Sequence, residues 1–222
     1  MDKQTLASRL IATDLSIGQT PAQISAFVEQ AAALGCYGVC VLQNMAVTAL
    51  DAAKGRLRVI TVTGYPSGID VPQTKIGDAA LSARSGVQEI DFGLNLSALK
   101  SGDPDTLRQE ISGIVQAAAP FKCKVYAVFN TYNLCQEEIS CLAKLCCQLG
   151  VDGLKTTSGD PVIPRKTQPQ DAASLKAFAP ELSVKAEGLI ATLEEAEVMF
   201  AAGADLVCSD QAFAILAQAA DT

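Results

Sequence analysis

Three ionisable side chains lie inside short apolar runs that are typical of buried strands. Asp91 lies in the run Glu-Ile-Asp-Phe-Gly, and Lys155 and Lys185 end the runs Gly-Leu-Lys and Ser-Val-Lys. Ionisable side chains are rarely buried without a partner, so each of the three requires an explanation. An interior ion pair, or a side chain that reaches solvent, explains any one of them equally well. Two lysines and an aspartate together favour a functional site.

The two lysines indicate chemistry by a nucleophilic amine. An amine attacks a carbonyl carbon only in its neutral form, and an ordinary lysine is almost wholly protonated near neutral pH. A neighbouring ammonium group and an apolar wall both lower the pKa of a lysine. We therefore expect Lys185 to lower the pKa of Lys155. The resulting iminium would withdraw electrons and allow a carbon–carbon bond to break, while Asp91 transfers protons.

The chain contains no histidine, and this limits its chemistry. Histidine-based triads, histidine general bases and imidazole metal sites are excluded. No two of the eight cysteines have the CxxC spacing of a zinc ribbon or a thioredoxin motif. We therefore expect no metal and no cofactor, and metal-dependent aldol chemistry is disfavoured.

Short strand-like runs alternate with helical patterns along the whole chain. Eight such runs are mostly apolar, as strands buried on both faces are. They cover residues 10–13, 38–42, 58–62, 89–93, 124–129, 153–156, 183–186 and 205–208. This alternation predicts a single-domain (β/α)8 TIM barrel over residues 1–222. An open doubly wound sheet is the main alternative, although no GxGxxG follows the first strand.

Helix start signals separate several of these runs. Thr20 before Pro21 and the sequence Thr-Leu-Glu-Glu from Thr192 are N-terminal capping patterns. A third helix is predicted to open at Thr106, and a fourth to run from Gln136 to near Gly150. The carboxyl ends of barrel strands share one mouth, so residues at those ends are expected to meet there.

Composition limits the partners of the chain. It has 222 residues, of which 49% are hydrophobic, and a net charge of -7. The negative charge disfavours binding to nucleic acid or to an anionic membrane. No apolar run approaches membrane-spanning length. The cysteines fit a reducing compartment, and we expect a cytoplasmic protein with a small-molecule substrate.

The sequence resembles the deoxyribose-phosphate aldolase family over nearly its whole length. The similarity is carried by ordered segments: DL at 14–15, VCV at 39–41, VTGYPSG at 62–68, EIDFGLNLSALKSGD at 89–103, KTTSG at 155–159 and KAEGLIAT at 185–192. The family patterns corresponding to the last three read E-[IV]-D-x-V-x-N-x-G-A-L-K-S-G-D, K-T-S-T-G and K-A-S-G-G-I-R-T. The resemblance implies a class I, Schiff-base aldolase, and hence a carbon–carbon lyase.

The resemblance also implies roles for individual residues. Lys155 would be the Schiff-base nucleophile, Lys185 would lower its pKa, and Asp91 would take part in proton transfer. The substrate would be an aldehyde or sugar phosphate, cleaved reversibly to acetaldehyde and glyceraldehyde 3-phosphate. Five further residues would lie near it: Asp14, Cys40, Thr157, Gly188 and Ser209. Cys40 is equally explained as a core thiol, and Asp14 as a capping or loop residue.

The chain departs from the family pattern where a phosphate would bind. Asp160 follows the KTTSG segment, Leu189 replaces the second of two glycines, and Ala191 replaces an arginine. Asp210 replaces the second of two serines, and Asn130 replaces a common glutamate. Both aspartates disfavour an anion, so we expect weakened or redirected use of 5-phosphates. Arg165 and Lys166 would restore positive charge or simply belong to a solvated loop.

Two other functions remain open from the sequence. One is a related Schiff-base aldolase or lyase that acts on a non-phosphorylated or different carbonyl substrate. The other is a non-catalytic barrel with a binding or scaffold role, which the presence of Lys155, Lys185 and Asp91 disfavours. Barrels of this size are often homodimers, but no part of the sequence identifies an interface.

Overall fold

Eight strands alternate with helices in the computed structural model, which describes residues 1–160 and 164–220. The strands are β1 Leu10–Asp14, β2 Gly38–Val41, β3 Arg58–Thr63, β4 Glu89–Gly93, β5 Lys124–Val128, β6 Gly153–Lys155, β7 Ser183–Ala186 and β8 Leu206–Ser209. The helices are α1 Lys3–Ala7, α2 Pro21–Ala33, α3 Ala46–Ala53, α4 Pro72–Ser85, α5 Leu96–Lys100, α6 Pro104–Ala118, α7 Gln136–Leu149, α8 Pro169–Phe178, α9 Leu193–Ala201 and α10 Ala212–Gln218.

The strands form a closed parallel barrel in chain order. Closure occurs where β8 pairs with β1, with Ile11 opposite Cys208. The prediction of a (β/α)8 barrel is confirmed, and the open doubly wound sheet is wrong. Every predicted strand lies within one residue of the observed bounds, because the buried apolar runs coincide with the strands.

Side chains alternate between the two faces of each strand. One set joins the apolar core outside the barrel, and the other set points into the barrel interior. In β4, Ile90 and Phe92 join the large apolar core, whereas Asp91 forms ion pairs with lysines of β6 and β7. A smaller apolar cluster comprises Ile11, Cys40, Ile60, Leu206 and Cys208. Alternation therefore places charged groups of several strands in the same interior.

Three of the four predicted helix starts, including that of α7, are observed as expected, and one differs. Thr20 and Thr192 each form a capping box at the start of α2 and α9. Helix α6 begins at Pro104 rather than at Thr106, because the Asp103 carboxylate accepts hydrogen bonds from the backbone and hydroxyl of Thr106. The threonine is thus within the first turn and supports the cap of the helix.

A buried lysine holds the loop after β3 against the end of β4. Lys75 Nζ donates hydrogen bonds to the carbonyl oxygens of Gly68 at 2.8 Å and Gly93 at 2.9 Å, and it pairs with Glu110. The two glycine backbones pack so closely that a Cβ on Gly93 would lie 2.8 Å from the Cα of Gly68. This contact fixes the loop beside the strand that carries Asp91.

None of the helices in the described ranges combines the length and apolar character that a membrane span requires.

Candidate active site

The barrel brings together the three ionisable residues that the sequence singles out. Lys155 and Lys185 are register partners on the adjacent strands β6 and β7. The Asp91 carboxylate lies between them: Lys155 Nζ is 2.8 Å from Oδ2, and Lys185 Nζ is 2.7 Å from Oδ1. All three side chains are buried. One carboxylate therefore binds both amines and holds them in a common site.

Two glutamates complete this charged cluster. Glu187 Oε2 contacts Lys155 Nζ, and Glu89 Oε2 lies 2.7 Å from Lys185 Nζ. The hydroxyl of Tyr37 donates to Glu89 Oε1 at 2.5 Å, and Lys185 Nζ lies 3.6 Å from the centre of the Tyr126 ring. Each ammonium group thus contacts two carboxylates rather than one.

The carboxylates determine the protonation of the two lysines. Burial favours the neutral amine, but Asp91 and Glu187 outweigh it and hold the pKa of Lys155 well above its ordinary value. Asp91 and Glu89 likewise raise the pKa of Lys185 against the effect of burial. The predicted lowering of the Lys155 pKa is therefore wrong for this arrangement, because it counted the neighbouring cation and the apolar wall but not the attraction of Lys155 to Asp91 and Glu187.

The two carboxylates on Lys155 differ in their affinity for protons. Burial opposes the charge of Asp91, but its two ammonium partners hold the pKa of Asp91 below its ordinary value. Burial raises the pKa of Glu187, and its attraction to Lys155 does not fully compensate. Glu187 is therefore the more basic of the two groups that contact the amine.

Sequence reasoning did not identify Glu187 as a site residue, although a signal was present. Lys185 and Glu187 are two residues apart, and side chains at that spacing point to the same face of an extended segment. The same rule relates Glu89 to Asp91. Alternation alone could have found both glutamates.

A cavity of about 290 Å³ opens beside the cluster. Two of the predicted substrate-binding residues, Gly188 and Ser209, line it, together with Glu187. The Ser209 hydroxyl donates to the carbonyl oxygen of Ile190 at 2.5 Å. A Cβ at Gly188 would lie 2.7 Å from the backbone oxygen of Arg165, so only glycine fits there.

The other three predicted substrate-binding residues lie elsewhere around the barrel. Thr157 donates to the carbonyl oxygen of Glu187 at 2.9 Å and so joins the segments after β6 and β7. Cys40 is in the small interior cluster, where burial raises its pKa to about 12. Asp14 ends β1 and accepts a hydrogen bond from the backbone of Ser16 at 3.1 Å. Cys208 was not predicted, yet it lines the cavity.

The cavity carries more negative than positive charge. Glu187, Asp160 and Asp210 line it, and Arg165 is the one cationic side chain among its described lining residues. Lys166, the other candidate cation, pairs instead with Glu195. Weakened binding of a 5-phosphate stays a prediction, and these lining residues are the reason for it.

Leu189 adopts a backbone conformation that favours glycine. Its φ is 52°, in the left-handed region, and its side chain is 55% exposed at the edge of the cavity. A non-glycine residue in this region is strained. The backbone at Leu189 thus has a conformation typical of glycine, while its apolar side chain lies at the edge of the cavity.

Within residues 1–160 and 164–220, no three His, Cys, Asp or Glu side chains are arranged to hold a metal ion.

The fold and the site define a (β/α)8-barrel protein with two lysines that share one aspartate on the inner face of strands β4, β6 and β7. A curated deoxyribose-phosphate aldolase from Mycobacterium bovis is 36% identical to the chain, covering 90% of it and 89% of that protein. The chain belongs to the deoxyribose-phosphate aldolase family, and it is therefore a member of a family of lyases.

Other comparisons agree with this placement. A deoxyribose-phosphate aldolase from Aciduliprofundum boonei is 29% identical over 97% of both chains. A solved aldolase named QR15 superimposes with a TM-score of 0.89 at 30% identity, covering 96% of this chain and 95% of its own. The tetrameric deoxyribose phosphate aldolase of Aeropyrum pernix has a TM-score of 0.89 at 25% identity, with coverage of 97% and 91%. No protein-family model matches the chain.

Proposed function

We propose that this chain is a class I aldolase that reversibly cleaves 2-deoxyribose 5-phosphate to acetaldehyde and glyceraldehyde 3-phosphate through an imine on Lys155. The observation that carries the proposal is the shared carboxylate of Asp91, which holds the amines of Lys155 and Lys185 in one buried site. The relatives named deoxyribose-phosphate aldolase support the choice of substrate.

Each residue of the cluster has a distinct part in this reaction. Neutral Lys155 attacks the carbonyl carbon, and loss of water gives an iminium. The iminium accepts the electron pair of the carbon–carbon bond that breaks, which releases the longer aldehyde. Lys185 offsets part of the charge of Asp91, which weakens the attraction of Asp91 for the ammonium form of Lys155. Deprotonation of Lys155 is therefore favoured. Asp91 and Lys185 then serve proton transfers at the bound fragment.

The cavity beside Glu187 is the proposed position of the longer part of the substrate. Gly188 and Ser209 line it directly, and Thr157 supports its wall through the backbone of Glu187. Asp14, at the end of β1, and Cys40, in the barrel interior, would contact the substrate only near the fragment held by Lys155. These are the substrate contacts that we assign to the five predicted residues.

Trapping the imine tests this function. Reduction with borohydride in the presence of acetaldehyde should attach a two-carbon group to Lys155, which peptide mass spectrometry would locate. The Lys155→Ala variant should lose both the adduct and turnover, whereas the exposed Lys144→Ala control should retain both. Wild-type protein that yields no adduct on Lys155 would refute the proposal.

A second candidate keeps the chemistry but changes the substrate to an unphosphorylated sugar such as 2-deoxyribose. The carboxylates that line the cavity favour it, because a phosphate dianion close to one carboxylate is disfavoured by on the order of a few kcal/mol. The ratio of kcat/KM for the sugar and for its 5-phosphate separates the two candidates. A ratio above one would favour the unphosphorylated substrate, and a strong preference for the phosphate would exclude it.

We also propose that the protein works in the cytoplasm as a homodimer or larger assembly. Its cysteines are free thiols, two of which are exposed, and such groups persist in a reducing compartment. The Aeropyrum pernix relative is described as a tetramer. Light scattering of the purified protein would give the mass of the assembly, and a monomer would contradict this proposal.

A further inference from the structure

We propose that Glu187 is a catalytic acid–base residue of this chain, which moves protons between Lys155 Nζ and a carbonyl substrate in the adjacent cavity. The inference deepens the proposed function and rests on it. It assigns the first proton transfer of imine formation to a residue outside the group of Lys155, Lys185 and Asp91.

Glu187 is the side chain that joins the amine to the cavity. Its Oε2 atom contacts Lys155 Nζ, and its side chain also lines the cavity, which Lys155 itself does not line. Its Oε1 atom lies over Gly159, where an added Cβ would be only 2.7 Å away. A carbonyl group that approaches Lys155 from this cavity comes within reach of this carboxylate, although Lys155 and Asp91 also line a separate small cavity beside Tyr65.

The backbone of Glu187 is held firmly by the segment after β6. Its amide donates to Thr156 Oγ1 at 3.0 Å. Its carbonyl oxygen lies 2.9 Å from the hydroxyl groups of both Thr156 and Thr157. These contacts tie Glu187 to the residues that directly follow Lys155. The backbone that carries the carboxylate is consequently held close to the backbone that carries the amine.

Glu187 and Asp91 both contact the Lys155 amine, but they differ in their ion pairs and in the direction of their pKa shifts. Asp91 is shared between the ammonium groups of Lys155 and Lys185, whereas Glu187 forms its one ion pair among the described residues with Lys155. Burial raises the pKa of Glu187, while the pKa of Asp91 is held below its ordinary value. A proton that leaves Lys155 therefore has a more favourable acceptor in Glu187 than in Asp91.

The proton movements balance over the formation of the imine. The Nζ–H bond of the Lys155 ammonium breaks and its proton passes to Glu187, which leaves the lone pair on nitrogen. That pair forms a bond to the carbonyl carbon, and the carbonyl π electrons move to oxygen. A second nitrogen proton neutralises this oxygen and gives a carbinolamine. Protonated Glu187 then donates to the hydroxyl, which leaves as water, and the nitrogen lone pair forms the iminium.

The Glu187→Gln variant tests this role because it keeps the size of the side chain and removes its basicity. We expect the rate of borohydride-trapped adduct formation with acetaldehyde to fall roughly 10²–10⁴-fold, the range for loss of a general acid–base group. Added formate should restore part of the rate in a Glu187→Ala variant, since a small carboxylate can occupy the space. Glu194→Gln, an exposed position on the next helix, is the matched control.

The outcomes separate this inference from the proposed function. An adduct in wild type together with slow trapping in Glu187→Gln, and recovery with formate, supports the inference. A Glu187→Gln rate equal to or above that of wild type overturns it, because removal of a merely structural carboxylate would leave Lys155 easier to deprotonate. Circular dichroism of each variant distinguishes slow chemistry from misfolding. Wild type without any adduct refutes the proposed function itself.

Discussion

Lys75 and Glu110 form an ion pair in which Nζ and Oε2 lie 2.5 Å apart and neither side chain is exposed to solvent. Glu110 also accepts a hydrogen bond from the backbone of Asn95 at 3.0 Å. Removal of one partner from such a pair leaves a buried charge without compensation. We therefore predict that Lys75→Met lowers the free energy of unfolding by about 3–5 kcal/mol.

Urea denaturation of Lys75→Met and of wild type measures this change. The double variant Lys75→Met/Glu110→Leu is the control, and it should recover part of the lost stability because no charge remains buried. A single variant that loses less than about 1 kcal/mol would contradict an uncompensated buried charge at Glu110.

Lys185→Leu should move the acid side of the pH–activity profile to higher pH. Without Lys185, the full charge of Asp91 acts on Lys155 and binds its proton more tightly. Each unit of such a shift corresponds to about a tenfold loss on the acid side, so we expect at least roughly tenfold lower activity near neutral pH. The profile of kcat/KM against pH is the measurement.

The charge-matched control for this variant is Lys144→Leu, which removes an exposed lysine from α7. It should leave the profile unchanged. Thermal unfolding must accompany the assay, because Glu89 loses its ion pair with Lys185 and keeps Tyr37 and Arg58 as neighbours. A stable Lys185→Leu protein with the wild-type profile would reject this role for Lys185.

Leu189→Gly should stabilise the protein by about 1 kcal/mol. Glycine adopts the left-handed backbone at this position without the steric cost that a Cβ brings. The exposed leucine side chain contributes little burial that would be lost. Denaturant midpoints give the comparison, with Leu189→Ala as the control that keeps the Cβ. Equal stability of the alanine and glycine variants would contradict backbone strain.

Thiol reactivity should divide the eight cysteines by exposure. Cys135 and Cys141 are exposed and should react rapidly with a thiol reagent at neutral pH, without loss of activity. Cys40 is buried, and burial raises its pKa, so it should react only after unfolding. Peptide mapping after brief labelling identifies the modified positions. Rapid labelling of Cys40 in folded protein would be inconsistent with this structure.

The positions of the strands could be predicted from sequence because burial on both faces leaves a continuous apolar run. The convergence of Lys155, Lys185 and Asp91 followed from that placement and from the common mouth of a barrel. The start of α6 could not be placed as well, because Asp103 and Thr106 are both acceptable capping residues. Choosing between them requires the geometry of the cap.

The protonation state of Lys155 could not be predicted from the sequence, for a different reason. Its pKa depends on how many charges lie within hydrogen-bond distance of one nitrogen atom, and the barrel brings these from separate strands. Lys185 was counted as a neighbour, whereas Glu187 was not. Together Asp91 and Glu187 outweigh burial and reverse the direction of the shift, so local pattern alone does not determine the pKa of Lys155.

Lys155 contacts Glu187 but does not line the larger cavity that Glu187 lines, and this has a kinetic consequence. A fragment bonded to Lys155 would be the inner one, and the outer aldehyde would have to depart before it. Release would then follow a compulsory order, with acetaldehyde last. Under that order, acetaldehyde inhibits cleavage competitively with the sugar, whereas the longer aldehyde inhibits noncompetitively.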